Sequence, residues 1–407
     1  MNQANDQTNL VTAVPAEPTE PLSMWRPWRY RQELLLALTL AIASQVFVLA
    51  FRKIARWELD LTHASKLTVP QLERCQAGNG GTLDESCQMD CCWYSTIIRS
   101  GYDREPAFGG GDRANWNFFP LFPLSAAPWY HTFGIESTHA SVVASKFTLY
   151  FAILAFLFMV RSQTESFGDA ALAGTLVAFN PAVIYAHAGY AEPLYFALAA
   201  TGLALIERRR WIGAGLAGGL LSATRMVGVV FGVAYLIGAL RSGAALQASK
   251  ERRLGVLIGA LLCPLGLSLF MLYMYRHTGD ALAPVHIYVG WHLSSGNPIS
   301  VIWEGLRAVG WHRFWACVAI AGWAASAWLV TQRQYEKAAF LALAILMPAT
   351  AEVTGMQRFV WWQPPTLYVA FLLLKRHPWL RAVYFVATGG MAAVMTVLWF
   401  LGGYSIV

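Results

Sequence analysis

The stretch Leu34–Phe51, LLLALTLAIASQVFVLAF, contains no charged residue and indicates the class of the whole protein. A run of this length can cross a bilayer as one helix, and it is too long for the apolar segment of a cleavable signal peptide. We therefore predict that it is the first transmembrane helix and acts as a signal anchor. Residues 1–33, which are polar and rich in proline before a basic flank, are predicted to form a disordered cytosolic tail.

The composition of the chain extends this interpretation to the rest of the sequence. Of its 407 residues 56% are hydrophobic and 13% are charged, whereas ordinary globular domains carry about a quarter charged residues. The net charge of +7 comes from basic residues at the ends of apolar runs, where they act as topology signals and not as a nucleic-acid surface. The predicted class is an all-α polytopic membrane protein.

Apolar runs recur along the chain and predict about eleven transmembrane helices. Basic clusters at Arg208–Arg210 and Arg241–Arg253 fall in loops on the cytosolic side, which leaves the C-terminus outside. Several runs are short, so the outer turns between them are expected to lie below the headgroups and to line a cavity. The predicted spans are 34–51, 142–160, 170–186, 193–206, 212–224, 227–240, 254–275, 314–330, 338–352, 359–374 and 383–402.

Residues 52–141 form one long segment outside the membrane, and we predict that this extracytoplasmic loop is catalytic. Within it, Phe118–Tyr130 (FFPLFPLSAAPWY) is apolar but contains three prolines, which disfavour a straight spanning helix. This stretch is therefore predicted to be re-entrant or interfacial. The remaining bundle covers 142–407 and includes a second outer loop at 276–313.

Asp90 is the best candidate for a reactive carboxylate in the long loop. It begins the stretch DCCWYSTIIRSGY, which predicts a short helix over 90–100 with Asp90 in the first turn and Gly101 as the stop. An aromatic face at helical spacing is expected to lie in the membrane interface and to hold Asp90 at headgroup depth. That face comprises Trp93, Tyr94, Ile97 and Ile98. The alternative is that Asp90 only caps the helix.

Four of the six cysteines lie in the same loop and could form disulfides in an oxidising compartment. They are Cys75, Cys87, Cys91 and Cys92. Three pairings are open, and the vicinal Cys91 and Cys92 are expected to have different partners. A metal site is the competing interpretation, but no histidine pattern accompanies these cysteines. Cys263 and Cys317 fall in spans and are predicted to be buried thiols.

Five motifs in order resemble the PIG-V type mannosyltransferases, which add the second mannose in glycosylphosphatidylinositol assembly and have bacterial relatives. The similarity covers roughly residues 85–370, with Gln88-Met89 where the family usually has Arg-Trp and Ala191 where it has Ser before the Glu. The motifs are DCCWYSTIIRSGY (90–102), NWNFFPLFPL (115–124), NPAVIYAHAGYAEPLYFAL (180–198), GLAGGLLSATRMVG (215–228) and GMQRFVWWQPP (355–365).

The resemblance implies a GT-C glycosyltransferase that transfers a hexose, with mannose expected, from a polyprenyl-phosphate donor to a lipid- or glycan-linked acceptor. Transfer would invert the anomeric centre on the extracytoplasmic face, with Asp90 as general base and Arg225 and Arg358 binding the donor phosphate. No cofactor, metal or nucleic acid is expected. The expected substrate-binding residues are Trp93, Tyr94, Glu192, His286 and Trp291.

Each of these residues also has a structural interpretation. Arg225 and Arg358 could be helix-end arginines that reach the headgroups, and Glu192 could simply begin a helix as an acidic residue of the first turn. His286 fits a hydrogen-bonded structural histidine, and the tryptophans of the second outer loop fit an interfacial belt.

Two other functional classes remain open on sequence alone. A non-catalytic partner subunit of a lipid-linked glycosylation complex would have the same apolar composition. A transporter is less favoured because the chain shows no internal repeat. The expected location is the bacterial inner membrane with the site facing the periplasm, and the alternative is the endoplasmic reticulum membrane.

Overall fold

The computed structural model describes residues 27–62, 85–107, 111–244, 249–290 and 296–402. Within these ranges the chain is α-helical, with short 3-10 segments and no β-strand. The helices are α1 (Pro27–Thr62), α2 (Asp90–Ser100), α3 (Leu121–His131), α4 (Ser137–Val160), α5 (Phe167–Ala178), α6 (Glu192–Glu207), α7 (Trp211–Ser222), α8 (Phe231–Arg241), α9 (Lys250–Leu262), α10 (Leu265–Thr278), α11 (Ala283–His286), α12 (Pro298–Arg307), α13 (Trp311–Thr331), α14 (Tyr335–Ala349), α15 (Met356–Trp361), α16 (Pro364–Arg376) and α17 (Leu380–Phe400).

Five helical stretches in the described ranges are long and apolar enough to cross a membrane. They are Tyr30–Glu58, Ser137–Gln163, Lys250–Thr278, Trp311–Thr331 and Leu380–Phe400. Each predicted run overlaps a helix, but many of these helices are short, and the number of eleven crossings is not confirmed. At 12 residues each, α5 and α7 extend about 18 Å, whereas the hydrocarbon core is about 30 Å thick.

The helices do not follow every predicted span. The span 170–186 is interrupted because α5 ends at Ala178 and a separate 3-10 turn follows at Val183–His187. Asn180-Pro181 lies between them, and the residue before a proline is disfavoured in helical conformation. Helix α1 does not stop at Phe51 but continues through a charged segment to Thr62.

Basic side chains tie the helices together at one end of the bundle, which we call the basic end. Lys337 at the start of α14 pairs with Glu207 at the end of α6, and Lys375 near the end of α16 pairs with Glu165 at 2.7 Å. Arg208 donates to a main-chain oxygen in α4 at 2.8 Å. These contacts agree with the predicted grouping of basic loops, and their cytosolic location stays a prediction.

The opposite end, which we call the loop end, gathers the first loop and the second outer loop. His277 at the end of α10 contacts the Tyr102 carbonyl oxygen at 2.9 Å, and Arg113 donates to the Gly290 carbonyl at 3.3 Å. The segment between α14 and α15 also lies at this end. It contacts the second outer loop, because the Gly296 N–H donates to the Thr350 carbonyl at 2.5 Å. The loop end therefore brings together segments that are distant in sequence.

Helix α2 has the predicted bounds, but its aromatic face is buried in protein. Trp93 stacks on Phe118 with ring centroids 5.7 Å apart, and Tyr94 meets Phe122 edge-on at 4.7 Å. The prediction that this face lies against the membrane is wrong, since α3 covers it. Helix α3, in the proline-rich stretch, is 11 residues long and too short to span.

The structure shows in part how the cysteines of the first loop pair. Cys87 and Cys91 form a disulfide with Cα atoms 5.3 Å apart, and Cys92 is also disulfide-bonded. Cys75 lies outside the described residues. Cys263 is buried as predicted, whereas Cys317 is exposed on α13, so its predicted burial is wrong.

Glycines of α7 allow unusually close packing against α9 and α10, as expected for a small-residue helix interface. A Cβ atom on Gly215 would lie 2.2 Å from the Gly259 carbonyl oxygen, and one on Gly219 would lie 2.5 Å from the Leu262 carbonyl oxygen. Because both obstacles are backbone atoms, any larger residue must separate the helices.

We predict that Gly215→Ala destabilises the folded protein by about 1–3 kcal/mol, the usual cost of overpacking a close interface. Gly389→Ala is the matched control, because that glycine is also helical and a Cβ there meets nothing within 4 Å. Thermal unfolding of the purified variants in detergent measures the difference. Equal melting temperatures would show that the α7 interface is not tight.

Candidate active site

Asp90 is positioned by a disulfide and a tyrosine at the loop end. The Cys87–Cys91 bond closes a short loop around it, and Met89 just before it adopts a positive φ of 54°. The Asp90 backbone N–H donates to the Tyr190 hydroxyl at 3.2 Å. Gly189 permits this approach, because a Cβ there would lie 2.5 Å from the Cys91 sulfur. These contacts fix the backbone of Asp90 and the position at which α2 begins.

Arg358 on the short helix α15 makes an ion pair with Asp90. Its Nη1 atom lies 2.7 Å from Asp90 Oδ2, and its Nε atom lies 3.9 Å from Glu192 Oε1. The guanidinium carbon is 5.9 Å from the ring centroid of Tyr190 and 6.0 Å from that of Tyr185. The arginine is thus held between two carboxylates and two aromatic rings.

Glu192, the first residue of α6, pairs with Arg225 at the end of α7. Only 2% of the Glu192 side chain and 17% of the Arg225 side chain are exposed. Phe359 packs against both arginines, with its ring centroid 4.8 Å from the Arg225 guanidinium carbon and 5.2 Å from that of Arg358. One aromatic ring therefore joins the two ion pairs.

Asp90, Glu192, Arg225 and Arg358 form what we call the charge cluster. Its two carboxylates and two guanidiniums balance, which compensates the cost of removing each charge from water. Two of its buried atoms, Glu192 Oε2 and Arg358 Nε, have no hydrogen-bond partner among the described residues. Unsatisfied buried polar atoms are uncommon in native proteins, so these two atoms distinguish the charge cluster from an ordinary pair of salt bridges.

Neutral phenols and one further acid surround the cluster. Burial raises the pKa of Tyr94 and of Tyr288 while the charges of Arg225 and Arg358 act in the opposite direction. Both tyrosines therefore stay protonated and can donate hydrogen bonds. The further acid is Glu352, which lies close enough to Arg358 for the two charges to interact.

The other predicted substrate-binding residues have different surroundings. Trp93 and Tyr94 follow Asp90 on α2, and both are buried in the aromatic packing between α2 and α3. His286 is mostly exposed and pairs with Asp280 at 2.6 Å, and within the described part of the chain no hydrogen bond or ion pair joins it to the charge cluster. Trp291 lies outside the described residues. The structure therefore brings together Asp90, Glu192, Arg225 and Arg358, but not His286.

Several residues at the site were not predicted from the sequence. Gln357 donates to the Tyr185 hydroxyl at 2.9 Å, and Tyr185 and Tyr190 in turn flank Arg358. One indication of their role was present in the sequence: these residues and Phe359 lie in the same motifs as Glu192 or Arg358. Sequence alone did not separate them from the many aromatic residues of the bundle.

Among the described residues, no group of three or more His, Cys, Asp or Glu side chains is arranged to hold a metal ion. The two carboxylates of the charge cluster each face an arginine instead. The expectation that the reaction needs no metal stays a prediction.

The chain is similar in structure to the oligosaccharyltransferase of Archaeoglobus fulgidus. The complex with zinc and sulfate matches with a TM-score of 0.47 and 14% identity, covering 88% of this chain and 53% of that chain. The apo form matches with a TM-score of 0.45 and 13% identity, covering 91% and 56%. The AglB enzyme of the same organism, with an inhibitory peptide and a dolichol-phosphate, matches with a TM-score of 0.44 and 12% identity, covering 91% and 56%.

This chain spans about half the length of those solved structures. A likeness at this level assigns neither a reaction nor a site to it. No protein-family model and no curated protein sequence matches the chain.

We predict that Glu192→Gln lowers the free energy of unfolding by about 3 kcal/mol, because it leaves Arg225 buried without its counter-charge. Glu336→Gln is the control, since its partner Arg241 is 43% exposed and exposed pairs contribute about 0–1 kcal/mol. Thermal unfolding in detergent measures both. The double variant Glu192→Gln/Arg225→Gln should recover part of the loss, and no recovery would argue against the pairing.

Proposed function

We propose that this protein is a membrane glycosyltransferase of the GT-C type. It transfers a hexose, with mannose as the expected sugar, from a polyprenyl-phosphate donor to a lipid- or glycan-linked acceptor. The observation that carries the proposal is the convergence of Asp90, Glu192, Arg225 and Arg358 from four segments at the loop end. A base beside two phosphate-binding cations suits inverting transfer from a sugar phosphate.

In the proposed reaction Asp90 accepts the proton of the acceptor hydroxyl. The acceptor oxygen then bonds to the anomeric carbon as the bond from that carbon to the phosphate oxygen breaks. The leaving electron pair stays on the polyprenyl monophosphate, which departs as an anion. Asp90 Oδ2 contacts Arg358 at 2.7 Å, so the second carboxylate oxygen is the one suited to accept the proton.

Arg225 and Arg358 are suited to the leaving phosphate because guanidiniums bind phosphate oxygens in a bidentate manner. Phe359 lies between them and sets their separation. The phosphate gains negative charge as the sugar leaves, so these contacts strengthen in the transition state. Arg358 Nε is already buried without a hydrogen-bond partner among the described residues, and a phosphate oxygen would satisfy it.

The shared arginine also links donor binding to the base. Without a phosphate, Arg358 neutralises Asp90 directly. When a donor phosphate engages the guanidinium, Arg358 is shared between the phosphate and Asp90. We therefore propose that donor binding loosens the Asp90–Arg358 pair and lets the carboxylate meet the acceptor hydroxyl.

Glu192 is proposed to orient Arg225 and not to react, because its carboxylate is buried and already paired with that arginine.

The periplasmic face of a bacterial inner membrane is the proposed location. A non-catalytic partner subunit remains the second candidate, and a charge cluster serving only as a structural clamp would fit it. Transfer from a polyprenyl-phosphate sugar by the purified protein separates the two.

We predict that Asp90→Asn abolishes sugar transfer without unfolding the protein, because the amide retains the shape of the side chain but cannot accept the proton. The loss should be about 100-fold or more in turnover. Asp280→Asn, at an exposed ion pair of the loop end, is the control and should keep its activity. Transfer is measured from a radiolabelled donor, with thermal unfolding in parallel. Near-normal turnover of Asp90→Asn would show that Asp90 is not the base.

We predict that Arg225→Lys and Arg358→Lys lower kcat more than they raise KM. A lysine keeps the charge but loses the planar fork that contacts two oxygens at once. Arg241→Lys, at the basic end, is the control and should leave both constants unchanged. Steady-state kinetics at varied donor concentration separates the two effects. A change in KM alone would assign the arginines to ground-state binding or to headgroup anchoring.

A further inference from the structure

The second outer loop is anchored to the first loop on both sides of one tyrosine, Tyr288. Before it, Ile287 is buried in an apolar cluster that also contains Phe119 of the first loop. After it, Gly290 lies so close to the first loop that a Cβ on it would be 1.8 Å from the Asp112 carbonyl oxygen. Because packing holds the chain on both sides, the backbone of Tyr288 has a fixed position.

The same apolar cluster extends to the end of α7, where Arg225 lies. Met226, the residue after Arg225, packs against the cluster that contains Ile287. Arg225 and Tyr288 are therefore each one residue away from a member of the same packed group. This packing brings a side chain of the second outer loop to the edge of the charge cluster.

The Tyr288 hydroxyl reaches the charge cluster and is open to a ligand. It lies within electrostatic reach of Arg225, Arg358 and Asp90, and the side chain is partly exposed. In the described part of the chain the hydroxyl makes no hydrogen bond, yet it is not among the buried polar atoms that lack partners. A bound molecule can therefore contact it.

Tyr185 and Tyr190, the two tyrosines that flank Arg358, differ from Tyr288 because their hydroxyls are used within the protein. Tyr185 accepts a hydrogen bond from Gln357 at 2.9 Å, and Tyr190 accepts one from the Asp90 N–H at 3.2 Å. Burial raises the pKa of Tyr288, so its phenol stays protonated at neutral pH. It is available as a hydrogen-bond donor.

We infer that the Tyr288 hydroxyl donates a hydrogen bond to the phosphate of the lipid-linked donor, beside Arg225 and Arg358. This inference rests on the proposed function and adds a binding residue from the second outer loop, in place of His286. A phosphate held by two guanidiniums gains from a further donor as its negative charge grows. A neutral phenol supplies that donor without adding a positive charge that would repel the arginines.

The test compares two lipids that differ only in the phosphate, a polyprenyl monophosphate and the polyprenyl alcohol of the same length. Competition with a radiolabelled polyprenyl monophosphate measures both affinities on the purified full-length protein in nanodiscs. Tyr288→Phe should weaken binding of the monophosphate by about tenfold or more, the usual effect of losing a hydrogen bond to a charged group. It should leave binding of the alcohol unchanged. No sugar is present, so the measurement does not depend on catalysis.

Tyr275→Phe is the matched control, because it removes a hydroxyl from a residue of α10 that is 59% exposed. This variant should bind both lipids like the unmodified protein. Gly290→Ala is a second variant, which keeps the Tyr288 hydroxyl but displaces the turn that carries it, since the obstacle to the new Cβ is a backbone atom. Combining it with Tyr288→Phe should cost less than the product of the two single losses, because a displaced hydroxyl no longer contributes.

An equal loss of affinity for the monophosphate and for the alcohol would overturn the inference, because it would show a packing defect. Strict multiplication of the Gly290→Ala and Tyr288→Phe losses would overturn it too, by showing that the turn acts without the hydroxyl. In a transfer assay, an effect of Tyr288→Phe confined to the KM of the acceptor would assign the hydroxyl to the acceptor and also contradict the inference.

The two proposals can fail separately. Sugar transfer by the unmodified protein, together with unchanged monophosphate affinity in Tyr288→Phe, would overturn the inference and leave the proposed function intact. Weaker monophosphate binding by Tyr288→Phe, in a protein that transfers no sugar, would support the inference and contradict the proposed enzyme.

Discussion

The ion pair between Asp90 and Arg358 joins the first loop to the last third of the chain, and the loop end depends on it. The two residues are 268 positions apart. Each is partly or largely removed from water, so each charge stabilises the other there. Glu192 and Arg225 repeat the constraint beside them, and aromatic rings flank the arginines of both pairs. Short helices and turns are needed here because a continuous helix could not present all four side chains to one point.

The two kinds of close contact in the molecule serve different purposes. At α7 the backbones touch because glycines remove every side chain between them, and the result is a rigid wall. At the loop end, charged side chains pair directly, and aromatic rings pack around them. The rigid part lets the polar part keep its geometry, because a buried charge cluster loses stability when its partners separate.

Local features of the sequence were sufficient to predict some of this structure. The bounds of α2 follow from its apolar spacing and from Gly101, both of which act within a few residues. The surroundings of its aromatic face could not be predicted, because a ring packs equally well against lipid or against another helix. The sequence placed Arg225 and Arg358 on the same side of the membrane, but it could not reveal that Arg358 contacts Asp90. Such a contact depends on the packing of the whole bundle.

The disulfide between Cys87 and Cys91 ties the shape of the Asp90 segment to the chemistry of its surroundings. While these two thiols are reduced, no covalent bond closes the turn that contains Met89 and Asp90, and only non-covalent contacts with Tyr190 and Arg358 hold that turn in place. Closing the turn reduces the number of conformations open to it, so less entropy is lost when Asp90 takes its place beside Arg358.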